Sequence, residues 1–107
     1  MRNVKKELLD ELVDKSKIKC AIIKHEEYCW VKDSINQIFM LKLNYTEDDL
    51  ESFYNELDFK YDDGYGSQEI YGTVWLEDGS WLERGEYDGS EWWEHKFLPL
   101  IPNELIN

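Results

Sequence analysis

The chain has 107 residues, 42% of them hydrophobic and 15% aromatic, and a formal net charge of −12. That length supports one domain, residues 1–107, with a modest core, and the aromatic content argues against disorder despite the charge. No apolar run approaches the roughly 20 residues of a membrane helix, and so acidic a balance argues against direct binding to nucleic acid, which is driven by Lys/Arg neutralisation of phosphate.

The charge is segregated along the chain. Residues 1–45 hold nine Lys/Arg and seven Asp/Glu, whereas residues 46–107 hold three and seventeen. Between Tyr61 and His95 the only basic side chain is Arg84. A one-sign surface creates a strong local potential and selects basic partners. Solubility alone accounts for the net charge but less well for its segregation.

The start, MRNVKKELLDEL, is amphipathic and lacks the apolar stretch of a signal peptide, so a cytoplasmic location is expected. Asn3 can cap a helix over roughly residues 4–15, with Val4, Leu8, Leu12 and Val13 as its apolar stripe. A strand is expected over 17–24, where Ile18, Cys20 and Ile22 alternate before Ile23. His25 to Trp30 is ambiguous between strand and loop. A second strand over 38–43 places Ile38, Met40 and Lys42 on one side and Phe39, Leu41 and Leu43 on the other, and it should pair with the first as an antiparallel hairpin. Thr46, followed by Glu47, Asp48 and Asp49, supplies an N-cap oxygen and acids for the positive end of a helix dipole. Leu50, Phe53, Tyr54 and Leu57 then recur at helical spacing to about Asp58. Residues 62–67 form a loop by composition, and its acids lack the spacing and closing glutamate of a calcium hand. Cys20 and Cys29 are expected to be reduced thiols. Together with His25 and His95 they match no zinc spacing, so neither metal nor cofactor is expected.

The stretch 68–97, QEIYGTVWLEDGSWLERGEYDGSEWWEHKF, holds every tryptophan except Trp30. Two Asp-Gly pairs divide it into three strands. A two-residue turn at Asp78-Gly79 would set Leu76 opposite Trp81 and Trp75 opposite Leu82. One face would then carry Val74, Leu76 and Trp81, and the other Tyr71, Thr73, Trp75, Leu82 and Arg84. A two-residue turn at Asp88-Gly89 would set Gly85 beside Trp92, where a ring can cover the bare backbone. It would also oppose Glu86 and Glu91, a like-charge pair that a longer loop could relieve. Adjacent Trp92 and Trp93 must point to opposite faces. After the strands, Pro99 and Pro102 break regular structure. Residues 102–106 suit one short helical turn, and Leu98, Leu100, Ile101 and Leu105 are expected to pack back on the body. The whole reads as an α+β fold: an antiparallel sheet of about five strands with two helices packed on one face.

Carboxylates are plentiful here, but three adjacent strands offer a face rather than the cleft that paired-carboxylate catalysis requires. The chain carries no glycine-rich phosphate loop, nucleophile elbow or H-E-x-x-H. A non-enzymatic binding protein is therefore expected. Carboxylates on one face of a strand repeat about every 6.8 Å, a spacing close to that of phosphates along a nucleic-acid strand. Tryptophan and tyrosine supply anchor area and the acids supply steering toward a basic partner. The expected partner-binding residues are Glu83, Glu86, Glu91, Trp93 and Glu94, with Arg84 holding neighbouring acids in place.

The run Leu57-Asp58-Phe59, Tyr61-Asp62, Gly64-Tyr65-Gly66, Tyr71-Gly72-Thr73-Val74-Trp75, Asp78-Gly79-Ser80-Trp81 and RGEYDGSEWW at 84–93, with Pro99 and Ile101-Pro102, resembles a set of small acidic proteins encoded by bacteriophages and prophages. The resemblance covers about half the chain, is specific in RGEYDGSEWW and does not extend to residues 1–45. It implies a phage context, no known reaction, and inhibition of a host defence or nucleic-acid-binding protein, by nucleic-acid mimicry or by occlusion of a basic site. An immunity protein for a nuclease toxin, or a module that stacks sugars or nucleotides on exposed aromatics, are the alternatives.

Overall fold

The computed structural model describes residues 1–27, 35–62 and 67–106. In chain order the elements are β1 (Arg2–Asn3), α1 (Val4–Leu12), β2 (Ile18–Glu27), β3 (Ile35–Leu41), α2 (Glu47–Glu56), β4 (Lys60–Tyr61), β5 (Ile70–Leu76), β6 (Trp81–Tyr87), β7 (Ser90–Lys96) and a 3-10 turn at Asn103–Leu105. Five strands form one antiparallel sheet in the order β3-β2-β5-β6-β7, and β1 pairs with β4 in a short separate ladder. This is the expected α+β architecture. No described helix is long and apolar enough to cross a membrane.

Local chemistry starts both helices. The Asn3 side chain accepts from the Lys6 amide at 2.9 Å. At α2, Thr46 Oγ1 accepts from the Asp49 amide at 3.1 Å and Asp49 accepts from the Thr46 amide at 3.0 Å, a reciprocal capping box. Val4 and Leu8 of α1, with Phe53 of α2 and Leu57 just beyond it, are buried against Ile23, Leu41, Ile70, Val74 and Leu82 of the sheet. Both helices thus cover one face, and among the described residues no element covers the opposite, open face. Val13, expected in the stripe of α1, lies beyond its end and is exposed.

Two irregularities set which side chains face the helices. In β2, Ile18 pairs with Leu76 but Cys20 pairs with Trp75, so Lys19 is an extra residue. This bulge turns Ala21, Ile23 and His25 inward, and the expected Ile18–Cys20–Ile22 side is broken after Ile18. In the β5–β6 hairpin, Trp75 pairs with Trp81 and Val74 with Leu82, one residue away from the expected register. The loop has three residues rather than two. The Leu76 amide donates to Ser80 O at 2.9 Å, and the Gly79 amide to Leu76 O at 3.2 Å. Gly79 alone takes positive φ, +91°. That is a type I turn closed by a glycine bulge, which Asp-Gly supports as readily as a type I′ turn. A one-residue slip exchanges faces. Leu82 and Arg84 therefore join Val74 and Leu76 inside, and Trp81 joins Thr73 and Trp75 outside.

The β6–β7 hairpin has the expected two-residue turn. Asp88 and Gly89 both take positive φ, 53° and 88°, and Gly85 pairs with Trp92 and Glu86 with Glu91. A Cβ on Gly85 would lie 2.6 Å from Trp92 Nε1, so the ring covers the bare backbone as anticipated. The expected short helical turn forms near the C-terminus, but the segment around it does not return to the body. Leu98, Leu100, Ile101 and Leu105 are 66–94% exposed. The radius of gyration is 16.0 Å, against about 13 Å for a compact chain of this length.

Candidate functional site

The β6–β7 hairpin sorts the expected partner-binding residues onto two faces. Arg84, Glu91 and Trp93 point inward: the Arg84 side chain is 2% exposed, that of Glu91 0%, and Trp93 is 6% exposed. Their assignment to a contact surface is corrected here, because strand alternation from Leu82 carries Arg84 inward and its partner Trp93 with it. Arg84 does hold neighbouring acids, but in the interior. Its Nη1 donates to Glu7 Oε2 at 2.8 Å, its Nη2 to Tyr61 Oη at 2.6 Å, and Nε and Nη2 reach Glu91 Oε1 at 3.3 and 3.2 Å. Tyr61 Oη donates to Glu7 Oε1 at 2.6 Å. The other demands of Glu91 are met by the backbone amides of Glu69 and Ile70, at 2.8 and 3.0 Å. The like-charge opposition of Glu86 and Glu91 is thereby relieved without a longer loop, because Glu91 turns to Arg84.

This cluster joins α1, β4 and the sheet. Burial opposes the charge on Arg84, but the hydrogen bond and charge of Glu7, with Tyr61 and Glu91, raise its pKa overall. Burial, with the hydrogen bond to Glu7, pushes Tyr61 up to about 12. A buried pair whose lone pairs and protons are all matched is a structural device: it costs little when whole and much when broken.

Glu83 and Glu94 face the other way. They are direct cross-strand partners on the open face, with side chains 43% and 41% exposed. Each is held by an indole two residues earlier on its own strand: Trp81 Nε1 donates to Glu83 Oε1 at 2.8 Å and Trp92 Nε1 to Glu94 Oε1 at 2.9 Å. Lys96 lies over the pair, its Nζ 3.0 Å from Glu83 and 3.8 Å from Glu94. The Trp81 indole and then Lys96 hold the Glu83 carboxyl below its ordinary pKa, and Glu83 raises that of Lys96. Trp75, 42% exposed, stands beside Trp81. Glu86 is exposed near the hairpin tip, where it accepts from the Gly89 amide at 3.4 Å.

The acids thus meet across strands and do not climb one strand. The outward positions of β6 read Trp81, Glu83, Gly85 and those of β7 Trp92, Glu94, Lys96, so the anticipated 6.8 Å ladder does not form on either. A pair of indole-anchored carboxylates flanked by aromatic faces suits a guanidinium or ammonium group, by charge and by cation–π attraction. Sequence reasoning missed Trp81, Trp92 and Lys96 as members of this site. The signal available was the W-x-E spacing at 81–83 and 92–94, which puts each indole beside its acid on one face once the strands are accepted.

Ser80 Oγ donates to Asp78 Oδ1 and receives His95 Nε2 at 2.9 Å. The hydroxyl proton is committed to a carboxylate and Ser80 is buried, so these groups brace the β5–β6 turn. His25 is buried, its Nε2 3.2 Å from Glu69 Oε1. No group of His, Cys, Asp and Glu suited to a metal occurs among the described residues, and Cys29 lies outside them. A cleft of about 940 Å³ opens between the end of α1 and the start of α2. Its Tyr45 hydroxyl is occupied by Ile18 O at 2.6 Å.

Comparison with protein-family models, curated proteins and solved structures gives no match.

Proposed function

We propose that this chain is a non-enzymatic binding protein whose open sheet face, centred on Glu83, Glu94, Trp81 and Trp92, captures a basic protein. The observation that carries the reading is the indole-anchored carboxylate pair, half exposed and held in place before any partner arrives. Preorganised acceptors lose little side-chain entropy on binding, and the surrounding negative potential steers a cationic partner. An arginine of the partner would stack on Trp81 or Trp92 and take the position that Lys96 occupies over the carboxylates. The specific form is a phage-encoded inhibitor of a host defence or nucleic-acid-binding protein, acting in the host cytoplasm. The cross-strand pairing of the acids favours occlusion of a basic site over imitation of a phosphate backbone. Glu86, directly opposite the inward Glu91, projects from the helix side of the hairpin tip and is not part of this face.

The test is affinity capture from host lysate at low and high salt, followed by titration of each retained protein in purified form. A basic nuclease or defence protein is expected to bind at low salt, to weaken as salt rises, and to be lost with Glu83→Lys plus Glu94→Lys. Binding that ignores both the salt and the double substitution would refute the reading. Quenching of tryptophan fluorescence by a sugar or nucleotide panel, with no protein retained, would favour the stacking module.

A further inference from the structure

The acidic pair occupies half of the open face. The other half, built by β3, β2 and β5, is apolar: Ile38 and Met40 are 58% and 57% exposed, Ile22 is half-buried, and Trp75 is 42% exposed. Cross-strand pairing of Met40 with Ile22 and of Ile38 with Lys24 makes this a continuous patch, with Ile22 in its middle and Lys24 at its edge beside Glu26. The C-terminal segment is its chemical counterpart. Phe97, Leu98, Leu100, Ile101, Leu105 and Ile106 are 58–94% exposed in a stretch whose one charged side chain is Glu104. Pro99 and Pro102 stiffen the segment ahead of its 3-10 turn at Asn103–Leu105. Soluble chains rarely leave so much contiguous apolar surface without a partner.

We propose that Phe97 to Ile106 is an exchange arm: in a two-fold homodimer each copy lays its arm on the β3–β2–β5 half of the other copy's open face. Three features select a second copy as the occupant. Both complementary surfaces belong to this chain, as a closed two-fold exchange requires. The lone charge of the arm, Glu104, is opposite in sign to Lys24, which borders the patch with Glu26 next to it on the same face of β2. The area is also adequate. Six apolar side chains at roughly 60–120 Å² each give about 500 Å² per arm, so two arms with the surfaces they cover reach the roughly 1,600 Å² of a stable interface. The arm leaves from the end of β7, and the dimer leaves Glu83 and Glu94 uncovered. This assembly does not depend on the proposed basic partner.

Sedimentation of the full chain tests the proposal. The wild type should run at twice its 12.9 kDa mass. Leu100→Asp plus Ile101→Asp, both at exposed positions, should weaken the dimer about 100-fold or more while leaving the far-UV circular dichroism unchanged. Met40→Asp on the accepting face should do the same. Lys24→Glu should weaken association, and adding Glu104→Lys to it should restore the dimer, because the pair is exchanged on both copies. Glu83→Lys plus Glu94→Lys should leave the mass unaltered, which separates this assembly from the binding reading above. A wild-type monomer at about 100 µM overturns the proposal, whether the arm stays free or folds onto its own sheet. A dimer that survives the arm substitutions, or one that ignores Met40→Asp, overturns it as well.

Discussion

The two sides of the β6–β7 hairpin use the same residue types for opposite ends. On the inner side Arg84, Glu91 and Trp93 meet Glu7 and Tyr61, and every oxygen of Glu91 is matched by a guanidinium or a backbone amide. On the outer side Lys96, Glu83, Glu94, Trp81 and Trp92 make a similar set of ion pairs and indole contacts, yet the carboxylates stay half exposed. The difference is solvent. Inside, a missing partner leaves a charge stranded in low dielectric; outside, water replaces it. The inner set is therefore worth stability, and the outer set is left available for recognition.

Substitutions that break this contrast should differ in size. Arg84→Ala leaves the buried Glu91 without its side-chain cation and Glu7 with only the half-exposed Arg2, and a loss of about 3–5 kcal/mol in urea unfolding is expected. Glu83→Ala, its counterpart outside, should leave the urea midpoint unchanged. Equal effects of the two would dissolve the distinction.

High pH gives the next effect. Tyr61 is 1% exposed and its pKa is raised from 10.0 to about 12. The unfolded chain ionises near pH 10 while the folded chain resists, so the contribution is complete below pH 10 and is lost as pH rises toward 12. A loss of about 2 kcal/mol is expected, somewhat below the full linkage value because the edge of the cluster meets solvent. Denaturation followed from about pH 9 to about pH 12 should show a smaller slope in Tyr61→Phe. Some slope should remain, since burial also raises Tyr45, Tyr54 and Tyr71.

Gly85→Ala sharpens the outer side. The new Cβ would meet Trp92 Nε1 at 2.6 Å and Cε2 at 2.8 Å, so the ring must shift away from Glu94. A cost of about 1–3 kcal/mol is expected, with a changed near-ultraviolet circular dichroism and weaker capture of a basic partner. The smallest effect on stability should come from Lys96→Gln. It frees Glu83 and Glu94 of their internal cation, so folding should be untouched while affinity for a cationic partner rises and becomes more sensitive to salt. Reduced affinity in that variant would show that Lys96 contributes to the contact instead of holding its place.

Much of the fold was legible because its signals are local. The N-cap at Thr46 needs only neighbouring residues. So does the turn at Asp88-Gly89, and its register followed from the turn. Asp78-Gly79 misled because the same dipeptide closes a two-residue or a three-residue loop, and one residue of slip exchanges Trp81 for Leu82 on the core face. The bulge at Lys19 has a similar effect in β2 and leaves no mark in the sequence. Glu7 and Tyr61 were missed as partners of Arg84 because they come from α1 and β4, 77 and 23 positions away from the arginine.

By itself the sequence determined the types of the two helices and of the five sheet strands, the two helix caps, the second hairpin and the acidic, aromatic character of the C-terminal half, since each rests on near neighbours or on composition, whereas the short β1–β4 ladder was not foreseen. Tertiary structure alone decided which acids are buried and which are offered to a partner. Along one strand Glu83 and Arg84, or Trp92 and Trp93, differ by a single step of alternation. The direction of that step is fixed by turn length, by a bulge and by whichever face the helices cover.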